Sequence, residues 1–325
     1  MLNIKLKKLQ RIDLTDLAAV LISSLLGWAL RYFEGTLMKK AQCQQNTEGY
    51  SPIFIIGAPR SGTTILYQLI TNNFDISYID NIVHCLYRYP LVGLKVSRFL
   101  FKNKPHNIFK SDLGRTYMYS WRGPSECGKF WNQWFLEGQE NMNLQSKEMA
   151  PTINNMMLQE QKSIVFKNTQ MSLRLKTINK LWPNAKIIHL KRNPLFNTQS
   201  ILQARMTQYN DISKWLSVKP KNINELVKLS PSQQVVHQVF EIEKAIEADK
   251  KLFTTYNWLS IDYEELCTRS DDAINVIGTF IDKKPSEHSR IKKIDLRLNN
   301  HIKLDSDTIS NLRQEISKLN WKTKG

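Results

Sequence analysis

The chain has 325 residues, 42% hydrophobic and 23% charged, with 13 Phe, 11 Tyr and 8 Trp, a composition that supplies a core and excludes a disordered chain. Lys and Arg number 46 against 29 acidic residues, a formal charge of +17 that favours anionic partners. The cations are scattered, with no dense basic face on one helix, which argues against nucleic acid and leaves anionic lipid or an acidic small molecule.

The first element in chain order is "LAAVLISSLLGWAL", Leu17 to Leu30, preceded by Lys5, Lys7, Lys8 and Arg11 and closed by Arg31. These 14 uncharged residues fall short of the ~20 that a spanning helix needs. The "RYFEGTLMKK" behind them offers no good signal-cleavage site. Three readings stay open: a helix buried on the domain, an interfacial membrane helix over residues 17–33, or an anchor. Polar residues 34–51 form a linker, so residues 1–51 stand apart from a single domain of 52–325.

"PIFIIG" has the Ile and Phe content of a buried parallel strand, and "GTTILYQLITNN" spaces Ile65, Leu66, Leu69 and Ile70 as a helix does. "DISYI" at 75–79 is a second strand. Residues 82–160 hold few strand signals and many aromatics, which predicts a helical insertion. "KSIVF" at 162–166, "AKIIHL" at 185–190 and "WLSIDY" at 258–263 are further strands. Helices are predicted at 172–182, from "NPLFNTQSILQARM" with Pro194 in its first turn, at 271–281, and in a C-terminal segment capped by Ser306. Alternating strands and helices make an α/β fold, a parallel sheet flanked by helices. Cys43, Cys85, Cys127 and Cys267 form no CxxC pair, which points to reduced thiols of a cytosolic protein and away from zinc or a disulfide framework.

The loop "GAPRSGTT" sits between the first strand and its helix, the context in which backbone amides and the helix dipole hold a phosphate. A P-loop nucleoside triphosphatase has lysine after the second glycine. Thr63 stands there instead, and the cation inside the loop is Arg60. Its planar fork suits two oxygens of a tetrahedral anion, with Ser61, Thr63 and Thr64 adding hydroxyl donors. No strand ends in a convincing magnesium-holding Asp, so the loop reads as one that holds its anion without metal.

"PRSGTT" after a strand, followed far downstream by "KIIHLKRNPLFNTQS", resembles the two cofactor motifs of sulfotransferases that use 3′-phosphoadenosine-5′-phosphosulfate (PAPS). The resemblance implies that Arg60, Ser61, Gly62, Thr63 and Thr64 grip the 5′-phosphosulfate. It implies that Arg192 and Ser200 grip the 3′-phosphate, and that Tyr263 of "YEEL" meets the nucleoside. Arg192 leaves the carboxyl end of a strand and Ser200 lies nearly two turns into the next helix, positions from which both reach one phosphate. "WPNA" also resembles the family's lead-in to its second motif, and "NNHIKL" faintly resembles a late segment that closes over the cofactor.

The acceptor needs a general base within hydrogen-bond reach. Glu126 in "RGPSECGKFW" resembles a P-x-E segment of bacterial members and is the first choice. Asp80 in "SYIDN" occupies roughly the place of a catalytic Glu in other members, and His84 is the third option. Tyr119, Trp121, Trp131 and Trp134 either line an acceptor pocket or belong to the core. The acceptor class stays open among carbohydrate, lipid, small molecule and a peptide tyrosine. Two rival functions are a P-loop kinase or triphosphatase and a membrane-associated binding protein without catalysis.

Overall fold

The computed structural model describes residues 14–43, 49–102, 104–135, 147–285 and 296–321. In chain order, helix α1 spans Leu14–Cys43, strand β1 Ile53–Ile56, α2 Thr63–Asn73 and β2 Ser77–Tyr78. Helices α3 (Asn81–Cys85), α4 (Pro90–Phe101), α5 (Gly128–Asn132) and α6 (Met149–Glu160) fill the expected helical insertion. Then come β3 (Ile164–Lys167), α7 (Leu175–Leu181), β4 (Lys186–Lys191), α8 (Pro194–Tyr209), α9 (Ile223–Leu226) and α10 (Pro231–Lys250). Strand β5 (Trp258–Asp262) and helices α11 (Tyr263–Thr268), α12 (Ser270–Phe280) and α13 (Ser306–Ser317) complete the order.

The strands form a five-stranded sheet in the order β2-β3-β1-β4-β5. Its recorded pairings are parallel, with Ile56 opposite His189 and Lys191 opposite Asp262. All four side chains of β1 and of β3 are buried, as expected of strands covered on both faces. Contacts divide the chain into two compact units. One holds the described residues within Met1–Pro52, Asp75–Glu137 and Asn141–Phe166, the other those within Ile53–Phe74 and Lys167–Gly325.

In the first unit, Leu30 and Leu37 of α1 pack on Leu86, Tyr89 and Val92. Glu34 reaches the start of α4, where its two carboxylate oxygens accept from the Leu91 and Val92 amides at 3.0 and 2.9 Å. It thereby serves two amides that Pro90 at the helix start leaves without intrahelical partners. Phe130, Trp131, Trp134 and Phe166 form an edge-to-face aromatic cluster with all four rings buried.

In the second unit, α8 opens at Pro194 with the Asn193 side chain accepting from the Leu195 amide. Helix α10 has a capping box of Ser230 and Gln233 with Pro231 in its first turn. The C-terminal helix is capped by Asp305, whose carboxylate accepts from the Thr308 amide, and not by Ser306 as the sequence had suggested. A carboxylate at a helix N-terminus gains from the dipole as well as the hydrogen bond.

Candidate active site

The loop after β1 is built around two glycines. Gly57 has φ +153° and a Cβ there would stand 2.5 Å from the Leu190 carbonyl oxygen; Gly62, at φ +100°, would drive a Cβ into the Tyr263 ring. Any larger residue closes the loop against β4 or α11. Between them Arg60 is held at φ +67°, a left-handed conformation rarely taken by non-glycine residues. The Gly57 amide donates to Ser172 Oγ at 3.1 Å, and that hydroxyl donates to the Gly57 carbonyl at 3.0 Å. The Ala58 amide donates to a carboxylate oxygen of Glu243, whose other oxygen lies 2.9 Å from His189 Nε2. Asn197 Nδ2 donates to the Pro59 carbonyl at 2.5 Å. The loop is therefore held by Ser172 between β3 and α7, by α8 and by α10, the kind of preorganisation on which electrostatic catalysis rests.

The two sequence motifs meet at this loop. Arg60 Nε donates to Ser200 Oγ at 3.2 Å, and Arg192 Nη1 donates to the Arg60 carbonyl at 2.9 Å. Arg192 Nη2 reaches the carbonyl of Asn299 at 2.7 Å and the side chain of Asn300 at 3.2 Å. The faint "NNHIKL" segment is thus part of the site, with the His301 carbonyl and the Lys303 amide both bonded to the Gln199 side chain. Burial lowers the Arg192 pKa against the pull of Tyr263 and Glu264, yet a guanidinium stays protonated at any working pH.

Tyr263 does not lie open for a nucleoside. Its ring is buried between Gly62 and Arg192, whose guanidinium carbon sits 4.4 Å from the ring centroid. A cation over a ring face in a desolvated place is a favourable pair, so Tyr263 sets the attitude of Arg192.

A cation that the sequence reading missed completes the loop. Lys167, the last residue of β3, is 3% exposed and its Nζ donates to Thr64 Oγ1 at 3.1 Å. A lysine at the carboxyl end of β3 is thereby brought to the start of the helix whose position 63 carries threonine. The signal was present in "VFKNT", a strand run ending in a lysine, but its target lies 103 residues away.

The site keeps buried donors for an anion. Ser61 Oγ in the loop and Arg192 Nε after β4 are both buried without a hydrogen-bond partner, and buried donors of this kind call for an acceptor. Among the described residues, no group of three His, Cys, Asp or Glu side chains is placed as a metal site requires.

A family model for the sulfotransferases matches residues 52–285. The chain belongs to the sulfotransferase family. Similar solved structures include sulfotransferase STF1 from Mycobacterium tuberculosis H37Rv, with TM-score 0.50 and 12% identity over 88% of this chain and 81% of that one. STF9 from Mycobacterium avium gives 0.48 and 12% over 90% and 73%, and mouse SULT7A1 complexed with PAP gives 0.35 and 15% over 83% and 67%. At 12% identity the likeness to STF1 is one of fold. No curated protein matches the sulfotransferase in sequence. Membership makes it a transferase, and the P-loop kinase or triphosphatase reading is not favoured.

The expected base residues lie in the other compact unit. Asp80 is fully buried and caps α3, accepting from the Val83 amide at 3.0 Å, from Ser97 Oγ at 2.5 Å and from Arg122 Nη1 at 3.0 Å. Burial raises its pKa above the ordinary carboxylate range, against the pull of Arg122, Ser97 and the Val83 amide. Glu126 is half-buried beside Ser125, whose hydroxyl lies 2.9 Å from Nδ1 of the buried His84. Of the four aromatics, Trp131 and Trp134 belong to the core, whereas Tyr119 and Trp121 are exposed.

Proposed function

We propose that the sulfotransferase moves a sulfuryl group from PAPS to a hydroxyl or amine acceptor. The observation that carries this reading is the convergence of Arg60, Arg192 and Ser200 at the loop after β1, where Ser61 Oγ and Arg192 Nε are buried donors without a partner. The loop amides with Arg60, Ser61, Gly62, Thr63 and Thr64 would hold the 5′-phosphosulfate. Arg192 and Ser200 would hold the 3′-phosphate, the group that separates PAPS from ATP. When bound, PAPS supplies the sulfuryl group and a good leaving group.

The protein's own part is positioning and charge compensation. Lys167 and Arg60 offset negative charge at the loop. Glu126, in the segment that resembles the P-x-E of bacterial members, is assigned as the base that accepts the acceptor's proton. Asp80 positions Ser97 and Arg122, its oxygens being already taken by protein donors. Exposed Tyr119 and Trp121 are platforms suited to a carbohydrate or aryl acceptor. Calorimetric titration with 3′-phosphoadenosine-5′-phosphate against AMP and ATP, with and without magnesium, tests the donor. Tight metal-independent binding of the bisphosphate supports it; preference for ATP with magnesium overturns it.

A further inference from the structure

Helix α1 has two apolar faces, and the first unit covers one of them. Gly27, Leu30, Glu34, Leu37 and Ala41 recur at helical spacing on the packed side, where Tyr89 also donates to the Gly27 carbonyl at 3.3 Å. Leu21, Leu25, Trp28 and Tyr32 recur at i, i+4, i+7 and i+11 on the opposite side. They are 52%, 73%, 81% and 71% exposed, far beyond what a helix shows to water without a purpose. Helix α4, packed beside α1, turns Val96, Phe99 and Leu100 outward as well, Phe99 at 82%.

The exposed charges described on these helices from Leu21 onward have one sign. Arg31, Lys39 and Lys40 on α1, with Lys95 on α4 and Lys102 just after it, are exposed. From Leu21 onward the only acid among the described residues of α1 is Glu34, which is turned inward to α4, and α4 contains no acid at all. A second copy of a chain carrying +17 brings like charge to such a face. An anionic bilayer brings the complement, because its surface potential attracts basic residues that lie within a Debye length of it. No described helix is long and apolar enough to cross a membrane. Trp and Tyr among Leu, ringed by Lys and Arg, is the composition of a helix that lies in the headgroup region.

We propose that the outward stripe of α1, with Phe99 and Leu100 of α4, docks the protein on the interface of an anionic lipid bilayer, independently of how the donor is bound.

Sedimentation of the full-length protein with vesicles of phosphatidylcholine alone and with 30% phosphatidylglycerol, at low and high salt, tests this directly. Binding should require the anionic lipid, weaken with salt, and fall at least tenfold in Leu25→Glu/Trp28→Glu. These side chains are exposed, so the variant should keep the melting temperature and circular dichroism of the parent. Lys39→Glu/Lys40→Glu should lose the salt-sensitive part. Equal recovery of parent and variant with vesicles overturns the proposal. So does a concentration-dependent dimer, seen by analytical ultracentrifugation and abolished by the same double substitution, because it assigns the face to a second copy.

Discussion

Arg60 Nε lies 3.2 Å from Ser200 Oγ, although 140 residues separate them in sequence. The loop after β1 and the helix after β4 therefore meet at one point, and Arg192 joins them through the Arg60 carbonyl. One arginine sits in the loop and the other leaves the neighbouring strand, so the two can divide an elongated anion between them.

Arg192→Ala should weaken binding of the adenosine 3′,5′-bisphosphate by about 100-fold, roughly 3 kcal/mol, the scale of a lost charge-assisted pair. Binding of AMP, which lacks the 3′-phosphate, should change little. Arg192→Lys should recover only part of the loss, since an ammonium neither forks nor stacks on Tyr263 in the same way. Calorimetry on the three proteins checks both statements.

Lys167→Met should lower kcat by about 100-fold to 1,000-fold, the range seen when one preorganised electrostatic contact is removed. The methylene stem is retained in a site that is 3% exposed, so stability should hold better than with alanine. Steady-state kinetics with a labelled donor separate the loss in kcat from any change in KM.

Glu126→Gln and Asp80→Asn should fail in different ways. Removing a general base lowers kcat by roughly 100-fold to 10,000-fold with the fold intact. Asp80→Asn strips the partner from Arg122 in a buried network and should destabilise by about 3–5 kcal/mol. Thermal melts beside turnover assays distinguish the two, and a Glu126→Gln enzyme at full activity removes it from the reaction.

The docking of α1 should depend on pH. Burial raises the Glu34 carboxyl to about 7, although the Val92 and Leu91 amides pull the other way. A carboxyl whose folded pKa exceeds its unfolded one contributes most when protonated, so its stabilisation is complete in acid and is lost as pH rises through about 7. Hydrogen exchange of the α1 amides should therefore speed up, beyond the intrinsic pH effect, between pH 5.5 and 8. Glu34→Gln should flatten that dependence, because its side chain does not titrate.

Much of this protein is local and was legible in the sequence. Apolar runs of four to six residues, the glycines that a tight loop needs, and Pro194 at a helix start each act within a few residues, so the strand-loop-helix units can be read from spacing, whereas the link from "PRSGTT" to Arg192 and Ser200 came from the resemblance to sulfotransferases. Helix α10 had its start signal too, in Ser230, Pro231 and Gln233, yet its apolar positions are diluted by charge and it went unassigned. What periodicity does not encode is which residues far apart in sequence become neighbours. The reach of Lys167 to Thr64, the support of Ala58 by Glu243 across 185 residues, the burial of Asp80 and the use of Tyr263 as a seat for Arg192 all follow from strand order and helix packing. The same holds for α1. Its stretch from Leu17 to Leu30 carries no charge on any side, and only packing against Leu86, Tyr89 and Val92 decided which face was left for another surface.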